Sequence, residues 1–172
     1  MESVKITSGR YRSSKLLTPG GATHPMGSRE KLALFNMLAD YLMGARVLDA
    51  YAGSGALGIE ALSRGATEVV FVEQNRRAVT TIHQNLTILS LKAQVLLGNV
   101  VKFTTYKKFD VIIADPPYDK FKVAEIEHLT QFLRPGGILA LSHPNDPPEF
   151  PGLTLLSTHR YARAHISIYT AA

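Results

Sequence analysis

The chain has 172 residues, 45 % of them apolar, and a formal net charge of +5, which is the size and apolar content of one globular domain with a real core. It contains no cysteine, so disulfides and thiolate metal sites are excluded, as expected of a cytoplasmic protein. No apolar run approaches the roughly 20 residues of a membrane helix, and the opening MESVKITSGRYRSSKLL lacks the apolar segment of a signal peptide.

In chain order, residues 3–17 read as short strands around the polar turn SGRYRSS, and TPGGATHP is a loop by its Gly and Pro content. Ser28 is the expected N-cap of a helix reaching about Leu42, with Leu32, Phe35, Leu38, Ala39 and Leu42 on one face. An alternating series follows. RVLDA is a strand; GALGIEALSRG is a helix ending on Gly65; TEVVFVE is a strand; NRRAVTTIHQNLTIL is a helix capped by Asn75. AQVLLG and FDVIIAD are strands, KVAEIEHLTQFLRPGG is a helix stopped by Pro135-Gly136-Gly137, and ILALSH is a strand. LTLLSTHRYARAHISIYT alternates as a terminal hairpin with a turn near Ala162–Arg163. Strands that are nearly all apolar and alternate with helices predict an α/β fold: a doubly wound, mostly parallel, Rossmann-like sheet of seven strands. A C-terminal antiparallel hairpin and a short N-terminal β extension complete it. In such sheets ligands bind outside the carboxyl ends of the strands, here DAYAGSG, FVEQN, LLGNV and IADPPY.

The first of these ends carries Gly53-x-Gly55-x-x-Gly58 between a strand and a helix, and Glu73 follows twenty residues after Gly53. Glycines let the backbone turn tightly beside a ligand, and a carboxylate at the second strand end suits ribose hydroxyls, so the unit predicts a nucleoside cofactor. Asp49 would repel a pyrophosphate and suits a cationic ligand, which favours S-adenosyl-L-methionine; the alternative is that it caps N–H groups of its own loop. Asn99 either pairs with adenine or caps a short helix at 100–103. In Asp115-Pro116-Pro117-Tyr118 a carboxylate, a carbonyl held by two prolines and an aromatic face form an acceptor pair with a stacking surface, suited to a flat exocyclic amine.

The charge is uneven. Lys5, Arg10, Arg12 and Lys15 crowd the first 15 residues, and after Glu149 the only charged residues are basic, among them Arg160 and Arg163. Such runs are either solvated surface or a phosphate-tracking face built from both ends of the chain. The six histidines show no metal-ligand spacing.

DAYAGSGALGIEALSRGA together with ADPPY resembles the class I S-adenosylmethionine-dependent methyltransferases with a [D/N]PP[Y/F] motif. More narrowly, it resembles the RsmD family of bacterial 16S rRNA guanine-N2 methyltransferases. ITSGRYRSSKL, SREKLALFNML and HRYARAHISIY are similar to that family's N-terminal segment, first helix and closing hairpin, so the likeness covers nearly the whole chain. It implies that Asp49, Ala52, Gly53, Ser54 and Gly55 line the methionine end of the cofactor. Glu73 would hold the ribose and Asn99 the adenine, Gln74 and Val100 would also bind the cofactor, and Asp115, Pro116, Pro117 and Tyr118 would present the guanine amine. Met26 would belong to a loop covering the cofactor, although His24-Pro25-Met26-Gly27-Ser28 keeps only the proline of the family's Arg-Pro-Thr segment. The implied organisation is a single methyltransferase domain, with 1–27 as basic extension and covering loop and 28–172 as core. The expected partner is rRNA within the small ribosomal subunit, with no metal or membrane and the protein a monomer. Adenine N6 or cytosine N4 methylation, an NAD-dependent oxidoreductase and a non-catalytic RNA-binding module are the competing readings.

Overall fold

The computed structural model describes residues 3–21, 25–162 and 164–172; His24 and Arg163 lie outside the described residues. The parallel strands are β3 (Arg46–Ala50), β4 (Glu68–Glu73), β5 (Gln94–Leu97), β6 (Phe109–Ala114) and β7 (Leu133–His143), joined by the hairpin β8 (Leu153–Arg160) and β9 (His165–Ala171). Their order is β5-β4-β3-β6-β7-β9-β8, with β9 antiparallel to both β7 and β8. β1 (Val4–Lys5) and β2 (Lys15–Leu16) form a separate antiparallel pair. The chain leaves β3 toward β5 and returns on the other side at β6, so the crevice between β3 and β6 is the switch point where such sheets bind ligands.

Alternation along the strands divides the core. Val47, Phe71, Val111 and Ile113 face α1 (Ser28–Met37), α3 (Ala56–Ser63) and α4 (Arg76–Ile88). Leu48, Val70, Ile112 and Leu139 face α5 (Val123–Thr130) and a 3-10 turn at Val100–Lys102. Asn75 caps α4 as its sequence position predicts, accepting from the N–H groups of Arg77 and Ala78.

Three expected boundaries differ. Gly27, not Ser28, is the N-cap of the first helix, and it acts only through its carbonyl, which accepts from Lys31 N–H at 2.9 Å. That helix ends at Met37; after Leu38 the short α2 (Ala39–Leu42) begins, which lets Leu38 and Leu42 both bury. The helix expected to run up to the Pro135-Gly136-Gly137 stop ends at Thr130. Phe132 and Leu133 are apolar enough to join the core on β6, where Leu133 pairs with Phe109. From there β7 advances five residues to Ile138 while β6 advances two to Val111. Residues 134–137 therefore bulge outward, and Gly136, at φ +72°, takes the left-handed turn.

The N-terminal extension is docked by polar groups buried on helices. The Glu60 carboxylate, on α3 and 0 % exposed, accepts from the N–H groups of Thr7 and Ser8 and from the Thr7 hydroxyl. It also pairs with Lys31 at 3.5 Å and Arg64 at 3.0 Å. Asn85 on α4 accepts from Leu17 N–H at 2.8 Å and donates to the carbonyls of Leu17 and Ser54. Ser63 accepts from Tyr11 N–H and donates to the Ser8 carbonyl.

Candidate active site

Strand periodicity assembles the site. Glu73, Asp115 and Ser142 each stand two residues beyond an apolar residue of the α1/α3/α4 face, namely Phe71, Ile113 and Ala140. The register aligns Asp49 with Phe71 and with Ile113, and Ile113 with Ala140. Asp49 therefore lies one layer deeper than the other three, at 1 % exposure, and all four polar groups share one side of the sheet.

Asp49 Oδ2 accepts from Gly58 N–H at 2.8 Å, an N–H in the first turn of α3 rather than one of the loop itself. Burial drives its pKa well above the ordinary value; the Gly58 bond opposes this, and the charges of Asp115 and Glu73 add to the rise. A cation beside it would be stabilised. Glu73 accepts from Gly53 N–H at 2.7 Å and from Asn75 N–H at 2.8 Å, which pins the glycine loop to the second strand end. Gly53, at φ +57°, has nothing within 4 Å of where a Cβ would stand, so the space over the loop is open. Gly58 is the opposite case: a Cβ there would lie 2.3 Å from Phe71 Cε1 and 2.9 Å from Asp49 Oδ2. Gly58→Ala is expected to cost about 1–3 kcal/mol by overpacking, measured as a lowered urea midpoint.

Ala52 and Ser54 are buried in the same loop, and Gly55, at φ +80°, is the N-cap of α3. Gln74 and Asn99 are exposed and face each other, with Asn99 Nδ2 at 3.4 Å from Gln74 Oε1. Asn99 Oδ1 caps the turn containing buried Val100 by accepting from Val101 N–H; its amide N–H2 remains directed toward Gln74. The half-buried Met26 packs on the core ahead of α1.

At the fourth strand end Pro116 is buried and Pro117 exposed. Burial pushes the Asp115 carboxyl up to about 6, against the hydrogen bond it receives from Ser142. Tyr118 is half-buried, and its hydroxyl is hydrogen-bonded to Ser142 Oγ. Burial raises its phenol as well; Ser142 opposes the rise, and the charges of Asp115 and of Glu30 on α1 add to it.

Two features of this region escaped sequence reasoning. Ser142 has no motif, and its one signal was the alternation of ILALSH, which puts Ser142 in step with Ala140. Tyr51, at φ +57°, sends its hydroxyl 2.9 Å to Glu125 of α5 and so ties the glycine loop to the helix behind the corner; no local pattern marks that pair. Two cavities, of about 190 and 310 Å³, lie elsewhere, one beside Asp110 and Arg134 and one beside Phe103 and Tyr106.

The basic residues divide. His143, His165 and Arg160 are in register across β7, β9 and β8, so exposed Arg160 stands at the same end of the sheet as Ser142. Lys5, Arg10, Arg12 and Lys15 are all exposed. Arg10 N–H, however, donates to the Ser63 carbonyl at the far end of α3. An eight-residue helix is about 12 Å long, so the Arg10–Arg12 turn is displaced from the strand ends by about that length. Among the described residues no group of His, Asp and Glu could hold a metal ion, and no helix is long and apolar enough to cross a membrane.

The profile of the family described as Conserved hypothetical protein 95 matches residues 4–170. Ribosomal RNA small subunit methyltransferase D of Haemophilus influenzae is 34 % identical over 157 residues, spanning 84 % of this chain and 81 % of its own. The chain belongs to the RsmD family. The solved structure of the Escherichia coli methyltransferase homologue yhhF superposes on this RsmD-family chain with a TM-score of 0.90 at 27 % identity, covering 99 % of this chain and 98 % of the other. The Thermus thermophilus 16S rRNA N2 G1207 methyltransferase RsmC, solved with AdoMet and guanosine, shares the fold at a TM-score of 0.72 and 24 % identity, covering 99 % of this chain and 50 % of its own. The expected architecture, a mostly parallel α/β sheet with a terminal antiparallel hairpin, is therefore that of the class I methyltransferases.

Proposed function

We propose that this RsmD-family chain transfers a methyl group from S-adenosyl-L-methionine to the exocyclic N2 amine of a guanine in small-subunit rRNA. The observation that carries the reading is the corner at 115–118, set at the switch point with the buried Asp49 carboxylate beside it. The residues present fit the cofactor: the raised pKa of Asp49 marks a carboxylate that a cation would stabilise, and the space over Gly53 is open. When bound, the cofactor supplies an electrophilic methyl group on a sulfonium.

Asp49, Ala52, Gly53, Ser54 and Gly55 then surround its methionine end. Glu73 and Gln74 take the ribose, Asn99 and Val100 border the adenine, and Met26 belongs to the covering segment. The Asp115 carboxylate and the Pro116 carbonyl accept the two amine N–H groups and so aim the nitrogen lone pair. Tyr118 offers the base a stacking face worth about 1–3 kcal/mol. Exchange of N–H for N–CH3 releases one proton, and the Asp115 carboxylate stands on that N–H to receive it.

The extension 1–27 and the core 28–172 work as one domain. Lys5, Arg10, Arg12, Lys15, Arg160 and Arg163 track phosphates. The protein acts as a monomer, without a metal, on rRNA within the small ribosomal subunit.

The test is tritiated methyl transfer onto small subunits lacking the modification, free small-subunit rRNA and duplex DNA, followed by identification of the labelled nucleoside. N2-methylguanosine from the subunit is expected. A labelled adenine or cytosine would keep the corner but overturn the choice of base.

A further inference from the structure

Two prolines fix the backbone of the acceptor corner, but they leave the side-chain torsions of Asp115 and Tyr118 free. The Tyr118 hydroxyl meets that of Ser142, which is 3 % exposed on β7, and the register of β6 with β7 sets Ser142 across from Asp115, where its hydroxyl opposes the rise of the carboxyl's pKa. Ser142 sits on a strand paired on both sides, opposite Ile166 on β9 and one residue past the Leu141–Ala114 pair on β6. Asp115 and Tyr118 lie on the turn that leaves the sheet. A strand paired into the sheet therefore holds the turn that leaves it.

We propose that Ser142 is a positioning residue of the acceptor corner, whose hydroxyl sets the Asp115 carboxylate and the Tyr118 ring in fixed relation for the incoming base. The proposal rests on the methyltransferase reading. A serine hydroxyl has one proton to give and two lone pairs to receive, and an ionised carboxylate only accepts. With Asp115 charged, Ser142 must donate to Asp115, and Tyr118 must donate to Ser142. The chain Tyr118–Ser142–Asp115 then has one polarity, and each bond strengthens the next. The other charged and titratable groups around it are Asp49 on β3, which Asp115 faces, and Glu30 on α1, which faces Tyr118. His143 is engaged elsewhere, with the Asn145 carbonyl and the Ser167 hydroxyl.

Ser142→Ala removes a hydrogen bond to a charged group, and kcat for guanine methylation at pH 7 should fall about 10- to 100-fold. The KM for S-adenosyl-L-methionine should stay within about twofold, since no cofactor-facing group is touched. Because the lost bond favoured ionised Asp115, the acid limb of the pH–rate profile moves to higher pH. Carboxyl-carbon NMR of the free protein should show the Asp115 titration midpoint rising in the same variant. Ser167→Ala is the control, a buried serine on β9 whose hydroxyl contacts His143 and Thr158; it should move neither profile nor midpoint. Ser142→Ala and Tyr118→Phe should be non-additive in kcat. Wild-type kcat, profile and midpoint in Ser142→Ala, or equal shifts in Ser167→Ala, would overturn the proposal. Failure of the wild-type protein to methylate any RNA would sink the methyltransferase reading, while the NMR arm would still decide the role of Ser142.

Discussion

Asp115→Ala is expected to lower methyl transfer by about 10²–10³-fold, the scale seen when one preorganised hydrogen-bonding group is taken from a transition state. Cofactor affinity, read by isothermal titration, should be retained. The two acids are coupled: the charge of Asp115 raises the pKa of Asp49. Removing Asp115 makes Asp49 easier to ionise and therefore keeps its attraction for a cation. Loss of cofactor binding together with transfer would count against the assigned role. The same carboxyl predicts the pH dependence of the wild type. Its pKa is raised from 3.8 to about 6, and only the ionised form accepts two N–H bonds, so the rate should fall as pH drops through about 6. Stability runs the other way. A raised folded pKa gives stability that is complete below the unfolded value and is lost as pH rises through the folded one. Asp115 thus makes the ligand-free protein less stable between about pH 4 and 6 as it ionises, a cost tolerated for function.

Glu60→Ala should produce the largest loss of stability, about 3–5 kcal/mol, because it breaks a buried ion pair by removing one partner. Lys31, 2 % exposed, would be left with the Lys5 carbonyl as its remaining hydrogen-bond partner, and the N–H groups of Thr7 and Ser8 would lose their acceptor. Burial alone would raise the Glu60 pKa, but bonds from Thr7 and Arg64 and the charge of Lys31 outweigh it and hold the carboxyl below its ordinary 4.5. That stabilisation is present above the unfolded value and is lost as pH falls through the folded one. A urea midpoint gives the size of the loss, and hydrogen exchange of the amides at residues 7–17 shows where it falls. A change under about 1 kcal/mol, with those amides still protected, would show that the extension is held by its apolar contacts instead, Ile6 and Leu16 being both fully buried.

The sequence by itself determined whatever depends on near neighbours along the chain. RVLDA is the observed β3 residue for residue, Asn75 caps α4, and Gly55 turns the chain into α3. Side-chain alternation, cap chemistry and glycine torsions are local, so at these positions they are readable without the tertiary arrangement. The same locality made Asp49, Glu73 and Asp115 legible as residues at strand ends. Tertiary structure decided which ends meet. The register of β6 with β7 brings Ser142 to Asp115 and Tyr118, whereas the alternation within ILALSH gives only the face on which Ser142 lies. The docking of residues 7–17 on α3 and α4 buries Glu60 and Asn85, which look like surface positions in a helix read alone. It also carries Arg10 and Arg12 to the far end of α3, away from the strand ends. The core's demand for Phe132 and Leu133 ended α5 five residues before its Pro-Gly-Gly stop. Each of these outcomes follows from burial and register between segments far apart in the chain, which local propensity does not encode.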